Sequence, residues 1–265
     1  MGPWLVIAVV LGLVEGITEF LPISSTGHLI LAGRLMGFNG ATAGSFDIFI
    51  QLGAIAAVLF AYPGRFVRLA NLKATDGFAG TRGILLLGLT TVPGLVVGGL
   101  FHESVKKYLF NPTNVAIGLA VGAVWIILAE RFMPKPEKTS VDGLTWKEAL
   151  AIGCFQCLAL WPGMSRSAST ILGGMVVGLD RRSAAEYSFF AAVPMLLAAC
   201  LFDLWENIGL LTMQDVPLFA VGLLVSFVSA WIAVRFLVRF VAHHTLEPFG
   251  WYRLAVAAVV FLAVR

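Results

Sequence analysis

Charged residues are scarce in this sequence. Only 12% of its 265 residues are Asp, Glu, Lys or Arg, whereas 59% are hydrophobic and the mean hydropathy is +0.90. A soluble domain carries about twice that charged fraction. The composition therefore excludes an ordinary soluble domain and predicts an integral membrane protein with no nucleic-acid partner. In lipid, a backbone can satisfy its hydrogen bonds only in helices or in a closed barrel.

Strict alternation of apolar and polar residues is also missing, and this absence favours helices over strands. The three cysteines, Cys154, Cys157 and Cys200, lie in apolar stretches. Cys154 and Cys157 have CxxC spacing, but their hydrophobic neighbours and the lack of a second such pair favour packing over metal or redox chemistry. The N-terminus has no basic segment, so we expect no cleaved signal peptide.

Ten apolar segments are present, and three of them are too short to cross about 30 Å of hydrocarbon. The segments cover residues 4–20, 25–36, 46–62, 83–101, 114–132, 148–161, 167–178, 184–203, 216–235 and 250–264. The short ones are the second, sixth and seventh, and they border two polar stretches that contain proline, EGITEFLPISSTGH (15–28) and PGMSRSAST (162–170). Short helices that meet at such a turn are typical of re-entrant hairpins. The sequence thus predicts an all-α integral membrane protein with six transmembrane helices and two re-entrant helical hairpins.

The distribution of basic residues predicts an orientation in which the first hairpin enters from outside and the second from the cytoplasm. Arg166 is then the only basic residue assigned to the membrane interior. Four basic residues lie outside: Arg34, Lys106, Lys107 and Arg265. Thirteen are cytoplasmic: Arg65, Arg68, Lys73, Arg82, Arg131, Lys135, Lys138, Lys147, Arg181, Arg182, Arg235, Arg239 and Arg253. This asymmetry agrees with the positive-inside rule and places both termini outside.

The same arrangement predicts two halves of opposite topology within a single membrane domain. Repeat one covers about 1–132 and repeat two about 147–265, and each contains one hairpin and three spans. EGITEFLPISS can be aligned with QCLALWPGMSR, which pairs Glu15 with Gln156 and Ser24 with Ser165. Proteins built as inverted-topology repeats bind polar substrates near the bilayer midplane.

Two acids open the first polar stretch. Glu15 and Glu19 are four positions apart and therefore lie on one helix face. Each ionised side chain at membrane depth costs roughly 2.5–3.5 kcal/mol on the insertion scale. One interpretation is that one or both are protonated and hydrogen-bond locally. We favour the alternative that they bind a cation or share a proton-transfer task, because two close carboxylates need a positive partner.

Hydroxyl groups and an imidazole follow the acids. Pro22 ends the helix, and Ser24, Ser25, Thr26 and His28 come next. An N-cap followed by a tight turn would account for SSTGH equally well. Together with the upstream acids, however, the hydroxyls and His28 form a candidate set of nucleophile and base.

The second polar stretch supplies positive charge through Arg166, at the start of a new helix. Four hydroxyl residues surround it in the sequence: Ser165, Ser167, Ser169 and Thr170. A helix N-terminus with free N–H groups, hydroxyls and a guanidinium forms a phosphate or carboxylate site. The alternative is a purely structural ion pair between Arg166 and Glu15 or Glu19. Both interpretations bring the hairpin tips together, and this combination of groups around one anion indicates phosphoryl transfer.

The two polar stretches resemble the two signature motifs of the undecaprenyl-diphosphatase family, the bacitracin-resistance membrane phosphatases. The resemblance continues through FDIFIQLGAIAAVLF (46–60) and AAEYSFFAAVP (184–194). It implies an enzyme of the bacterial inner membrane, surrounded by membrane lipids. Its substrate would be the polyprenyl lipid undecaprenyl diphosphate, hydrolysed to the monophosphate carrier of peptidoglycan synthesis with a divalent cation, Mg2+ or Ca2+.

The resemblance also implies a role for each polar residue. Glu15 and Glu19 would be the acids and the metal ligands, Ser25 the hydroxyl, His28 the imidazole and Arg166 the phosphate-binding arginine. A supporting shell would bind the substrate: Ser24, Thr26, Ser165, Ser167 and Thr170.

Several alternatives remain open at this point. Ser25 either forms a phosphoenzyme or positions a water molecule, and we expect the site to open to the outside. The rival class is a secondary transporter or lipid flippase, because inverted hairpin repeats are transporter architecture and fold does not fix function. GxxxG spacings at 118–122 and 174–178 are weak signals of tight packing or of a homodimer.

Overall fold

The computed structural model of the chain describes residues 3–38, 40–133, 135–207 and 212–263. In these ranges the protein contains eleven α-helices, two short 3-10 helices (Val141–Gly143 and Cys157–Leu160) and no β-strand. The α-helices are α1 (Pro3–Thr18), α2 (Ser25–Leu35), α3 (Ala41–Ala61), α4 (Pro63–Ala70), α5 (Gly80–Tyr108), α6 (Pro112–Phe132), α7 (Trp146–Gln156), α8 (Arg166–Val176), α9 (Arg181–Asn207), α10 (Val216–Val241) and α11 (Glu247–Ala263). The predicted all-α class is therefore confirmed.

Five of the described helices are long and apolar enough to cross a membrane. The spans are Thr42–Ala61, Gly80–Val105, Pro112–Phe132, Arg181–Glu206 and Val216–Val241. The sixth predicted span, residues 250–264, corresponds to α11, which has 17 residues and is not among these five. A multi-pass helical membrane protein is thus confirmed, while the count of six spans stays a prediction. The placement of the termini also stays a prediction, because residues 1, 2, 264 and 265 lie outside the described residues.

Two pairs of short helices take the places of the predicted hairpins. α1 ends at Thr18, the chain turns, and α2 begins at Ser25 and packs against α1. In the same way α7 ends at Gln156 and α8 begins at Arg166 and packs against α7. α2 and α8 each have 11 residues. At 1.5 Å per residue each is roughly 16 Å long, about half the hydrocarbon thickness, so neither can span it.

The two turns share an unusual backbone conformation. Ser24 and Ser165 both have φ of 72°, and they are the only non-glycine residues with positive φ in the described ranges. Each directly precedes the short second helix of its pair. A left-handed conformation costs a residue with a Cβ roughly 1–2 kcal/mol, so such residues are uncommon outside functional turns. The two serines are also the pair that the alignment of the polar stretches placed together.

The helix packing has a two-fold pattern. α1 packs on α10, and α7 packs on α5; α3 packs on α10, and α9 packs on α5. α3 also contacts α9, and α6 contacts α11. If a two-fold operation exchanged the first half of the chain with the second, the α1–α10 contact would become the α7–α5 contact. The α3–α10 contact would likewise become the α9–α5 contact. The packing therefore supports the inverted repeat, which stays a prediction.

Small residues allow α1 to approach α10 closely. A Cβ added to Gly12 would lie 2.7 Å from the carbonyl oxygen of Gly222, and one added to Gly16 would overlap the Ser229 hydroxyl. Helices in lipid gain little from the hydrophobic effect, so close van der Waals packing of small residues is what holds them together. This contact fixes α1, and with it the acids near its C-terminal end.

Ion pairs gather at the end of the molecule where α3, α6 and α7 meet the intervening loops. Arg65 pairs with Asp142 at 2.9 Å, and Arg131 with Glu247 at 3.2 Å. Two more pairs lie there: Lys138 with Glu148, and Arg181 with Glu130. The basic partners all belong to the set predicted to be cytoplasmic. This end of the molecule is therefore the one that the positive-inside rule would leave in the cytoplasm.

Candidate active site

The tips of the two short-helix pairs are in direct contact. The Ser167 hydroxyl donates to the Leu21 carbonyl oxygen at 2.8 Å. Phe20, from the first turn, packs edge-to-face on Phe189 of α9 with ring centroids 5.3 Å apart. The polar stretches that are separated by more than a hundred residues in the sequence therefore form one buried cluster.

Glu19 lies at the centre of this cluster. Its Oε2 accepts a hydrogen bond of 2.6 Å from the Ser25 hydroxyl, and its Oε1 accepts one of 3.2 Å from Arg166 Nε. The Glu19 side chain is 6% exposed and that of Arg166 10%. A carboxylate that accepts a hydrogen bond from a hydroxyl is placed to remove the hydroxyl proton, since a base must lie within hydrogen-bond reach of the proton that it removes.

Arg166 has donors in three directions, and one of them is free. Nε contacts Glu19, and Nη1 donates to the Ser188 carbonyl oxygen at 3.1 Å. Nη2 is buried and has no hydrogen-bond partner among the described residues. Leaving a buried charged donor unpaired is costly, so this nitrogen is available for an anion. Arg166 was interpreted either as an anion-binding residue or as a structural ion pair. The geometry agrees with both, because Nε pairs with Glu19 and Nη2 is unused.

Glu15 is the one acid of this pair with no partner. It is fully buried, and within the described part of the chain neither carboxylate oxygen makes a hydrogen bond. Asp47, on α3, lies within electrostatic reach of Glu15, and its Oδ1 is likewise buried and unpaired. Unpaired carboxylate oxygens are the donors that Mg2+ and Ca2+ prefer. These residues therefore fit a divalent cation.

The described residues contain no group of three or more His, Cys, Asp or Glu side chains arranged around a metal position. Mg2+ in particular is usually held by one or two carboxylates, with waters and substrate phosphates completing its shell. The donor set at Glu15 thus suits a cation that arrives with a phosphorylated substrate better than a permanent structural metal.

His28 faces away from the serine–glutamate pair. Its Nδ1 lies 2.8 Å from the Ser24 carbonyl oxygen, and its Nε2 lies 2.8 Å from the Tyr252 hydroxyl. Both ring nitrogens are therefore occupied, and the hydrogen bond of Ser25 is made to Glu19 instead. Two groups are candidates for the base that activates Ser25, the His28 imidazole and the Glu19 carboxylate, and the geometry favours Glu19.

The hydroxyls of the second stretch mainly hold the turn together. Ser165 Oγ caps α8 by accepting from the Ala168 amide at 3.2 Å. Thr170 Oγ1 donates to the Arg166 carbonyl oxygen at 2.9 Å and lies 2.6 Å from Ser188 Oγ. Ser169 donates to the Ser165 carbonyl oxygen at 2.9 Å. These hydrogen bonds stabilise the first turn of α8, where Arg166 lies.

The hydroxyls of the first stretch are less constrained. Ser24 makes no capping bond with its side chain although it precedes α2. Thr26 is half-buried in the first turn of that helix. These two are the shell residues whose side chains remain best placed to contact a ligand.

Arg253 is a buried cation, so its predicted place among the basic residues of the cytoplasmic side is wrong. It is fully buried in α11, so Arg166 is not the only basic residue in the interior. Its guanidinium donates to five carbonyl oxygens: those of Pro22, Leu119, Gly118, Gly163 and Met164. One side chain thereby connects both hairpin turns with α6. Carbonyl oxygens from segments far apart in the sequence provide its polar surroundings, and no local pattern could reveal them.

The GxxxG spacing at 118–122 makes room for this arginine. A Cβ on Gly122 would overlap the Arg253 guanidinium, and one on Gly118 would overlap the Pro162 carbonyl oxygen. This face of α6 is therefore occupied inside the molecule, which confirms tight packing there. The predicted homodimer gains no support from it.

Comparison with known proteins assigns the chain to a family. Residues 8–259 match the model of the family described as bacitracin resistance protein BacA. A protein named undecaprenyl-diphosphatase from Nitratidesulfovibrio vulgaris is 52% identical over 257 residues, which cover 97% of each chain. Proteins of the same name from Solidesulfovibrio magneticus and Lawsonia intracellularis are 53% and 45% identical, over 96% and 100% of each chain. The chain therefore belongs to the bacitracin resistance protein BacA family.

Proposed function

We propose that this protein hydrolyses undecaprenyl diphosphate to undecaprenyl phosphate and inorganic phosphate. The reaction recycles the lipid carrier of peptidoglycan synthesis and confers bacitracin resistance. The curated relatives are named for this activity, and the chain matches them over nearly their whole length. The observation that carries the proposal is the buried, unpaired Nη2 of Arg166 beside the Ser25–Glu19 hydrogen bond.

The geometry supports Ser25 as the nucleophile and Glu19 as its base. Glu19 takes the proton from Ser25 as Oγ attacks the terminal phosphorus, and the bridging P–O bond breaks with its electron pair going to the lipid phosphate. Arg166 Nη2 stabilises the charge that develops on the equatorial oxygens. Water then attacks the phosphorus of the phosphoserine, and the Oγ–P bond breaks with its electron pair going to Ser25 Oγ. Oγ takes back the proton that Glu19 holds, the water loses one proton to the surrounding water as its oxygen becomes part of the phosphate, and inorganic phosphate leaves. In the alternative route Ser25 and Glu19 orient a water that attacks directly.

Both acids are ligands of one cation in this proposal, and Glu19 has the second task of serving as the base. Glu15 and Glu19 would hold a divalent cation, Mg2+ or Ca2+, with Glu15 as the main ligand because both its oxygens are free. The cation supplies positive charge to neutralise the two phosphates. Ser24, Thr26, Ser165, Ser167 and Thr170 form the surrounding substrate shell, in which Ser24 and Thr26 are the best placed for direct contact.

The route by which the lipid enters follows the outer half of α2. A cavity between α2, α6 and α11 is lined by Gly27, Ile30, Leu31, Arg34, Leu35, Pro112, Val115 and Val260. Its walls are mainly apolar and suit a polyprenyl chain. Arg34 and Pro112 belong to the end of the molecule predicted to lie outside the cytoplasm, which supports a site that opens outward in the bacterial inner membrane.

Phosphate release by the purified protein tests this function. Undecaprenyl diphosphate in detergent, without any ion gradient, should yield inorganic phosphate, and a chelator should abolish the release until Mg2+ or Ca2+ is restored. Lipid movement that requires a gradient, with no phosphate released, would instead favour the transporter or flippase that hairpin repeats also suit.

A further inference from the structure

The contacts of His28 define where its proton lies. The Ser24 carbonyl oxygen can only accept, so the ring nitrogen 2.8 Å from it, Nδ1, must carry a hydrogen. In the neutral imidazole the lone pair is then on Nε2, which accepts from the Tyr252 hydroxyl at 2.8 Å. The two rings lie parallel, with an interplanar angle of 2° and centroids 5.6 Å apart.

Tyr252 belongs to a helix, α11, that is hydrogen-bonded to both hairpin turns through the next residue. Its neighbour in α11 is Arg253, which donates to the carbonyl oxygens of Pro22 in the first turn and of Gly163 and Met164 in the second. Pro22 is two residues before Ser24, whose carbonyl oxygen binds the other side of the His28 ring. The carbonyl oxygen of Ser24 and the hydroxyl of Tyr252 therefore contact the two nitrogens of one imidazole.

We propose that Tyr252 is a positioning residue that acts through His28. Its hydroxyl occupies Nε2 and prevents the ring from turning toward Ser25, so that Glu19 alone receives the serine proton. The ring stays instead directly after Gly27, which lines the apolar cavity, and a lipid chain that follows this cavity would bring its linked phosphate close to the ring. This inference rests on the proposed phosphatase function, and no motif of the sequence includes Tyr252.

Nitrogen-15 NMR of the histidine-labelled protein tests the contact without any turnover. The chain has four histidines, and His28→Ala identifies the signal of His28. We expect a spectrum with hydrogen on Nδ1 and a hydrogen-bonded Nε2, and in Tyr252→Phe a shift of the Nε2 signal of His28 alone. Tyr252 is 45% exposed, and the substitution keeps its ring, so the fold should be retained. An unchanged His28 signal in Tyr252→Phe would overturn the proposal even if the protein proves to be an active phosphatase.

Steady-state kinetics tests the consequence. Tyr252→Phe should lower kcat roughly tenfold and change KM less than twofold, because an imidazole released from this hydrogen bond can turn toward Ser25 and compete with Glu19 for the hydroxyl proton. In a His28→Ala background the same substitution should have no further effect, because Tyr252 acts only through the imidazole. Tyr108→Phe, an exposed tyrosine at the end of α5, serves as the matched control and should leave both constants unchanged.

Two kinetic outcomes would contradict the inference. A rise in KM with kcat unchanged would mean that Tyr252 binds the substrate directly. Equal losses from Tyr252→Phe with and without His28 would mean that its role is independent of the imidazole. Failure of the wild-type protein to release phosphate would reject the proposed function and leave the NMR result to decide whether Tyr252 positions His28.

Discussion

At the scale of single residues, Glu19 is the side chain that joins the two halves of the site. It accepts from Ser25 of the first hairpin and from Arg166 of the second; Glu19 and Ser25 are buried, and the Arg166 side chain is 10% exposed. Two charges taken out of water are stable only with good geometry and further hydrogen bonds. Arg166 satisfies this requirement through Ser188, whereas Glu15 has no such compensation. The two glutamates should therefore respond differently to substitution.

The first prediction separates the two acids. Glu19→Gln should remove most activity, because an amide cannot accept the serine proton. Glu15→Gln should weaken the dependence on the cation or its affinity, because one carboxylate ligand becomes neutral. Phosphate release titrated with Mg2+ measures both effects, and Glu103→Gln on the exposed surface of α5 is the control. Normal turnover and an unchanged metal titration in both variants would reject these roles.

The second prediction concerns Arg166→Lys. An ammonium group cannot contact Glu19, the Ser188 carbonyl and a phosphate from the positions of three guanidinium nitrogens. If the free Nη2 stabilises the transition state, kcat should fall by roughly 10²-fold or more, equivalent to about 3 kcal/mol. Arg131→Lys, at an exposed ion pair, should have little effect. A fully active Arg166→Lys enzyme would mean that the arginine only balances Glu19.

The third prediction distinguishes covalent from direct hydrolysis. A methyl group cannot replace a nucleophile, so Ser25→Ala should reduce phosphate release to background. If Ser25 only orients water, a few per cent of activity should remain, because one lost hydrogen bond costs about 1–2 kcal/mol. Rapid quenching of the wild-type enzyme with labelled substrate should trap a phosphoserine. Substantial turnover by Ser25→Ala would exclude the covalent route and leave the phosphatase assignment intact.

The sequence was informative about residues that stand out from their surroundings. Glu15, Glu19 and Arg166 interrupt apolar segments, where an ionisable group is costly and therefore indicates function. Arg253 and Tyr252 were missed because their partners lie in other helices; Tyr252 and His28 are 224 positions apart. Asp47 was also missed, although a carboxylate at the second position of the segment 46–62 was a usable signal.

At the scale of the helices, the second hairpin turn depends on close contact with α6. Gly163 has φ of 97°, and a Cβ added there would overlap the Val115 carbonyl oxygen. Its own carbonyl accepts from Arg253. The turn therefore has neither the backbone freedom nor the space for a side chain at this position.

The fourth prediction follows from this contact. Gly163→Ala should destabilise the protein by about 2 kcal/mol, since alanine is strained at this φ and the turn must move away from α6. Thermal unfolding in detergent measures the loss, and activity should fall with it because Arg166 follows three residues later. Gly99→Ala in α5 is the control: no atom lies within 4 Å of the added Cβ, so stability should stay level or rise. Equal melting temperatures for Gly163→Ala and the wild type would contradict the tight turn.

Helices were predicted well and turns poorly, for a physical reason. Apolar length and proline breaks define where a membrane helix starts and ends, so the short helices flanking both polar stretches were recognised. The left-handed serines at 24 and 165 were not, because glycine or asparagine is the usual residue in that conformation.

At the scale of the whole molecule, the fifth prediction tests the inverted topology. In a background without the three native cysteines, single cysteines at Gly40 and Glu206 should react with an impermeant reagent from outside. Cysteines at Thr75 and Thr139 should react only after the cytoplasmic side is opened. All four positions are exposed, so accessibility depends on the side of the membrane alone. A cytoplasmic Gly40 would remove the re-entrant first hairpin and the repeat with it.

The five carbonyl contacts of Arg253 also affect biosynthesis. During translation the hairpin turns and α6 enter the bilayer before α11 is made. The carbonyl oxygens of Pro22, Gly118 and Gly163 therefore lack the Arg253 guanidinium as a hydrogen-bond donor at that stage. Only after α11 has been synthesised can the Arg253 guanidinium bind these three carbonyl oxygens and Tyr252 contact His28. The contacts that join both turns to α6 through Arg253 therefore form in one late folding step, after α11 has been made.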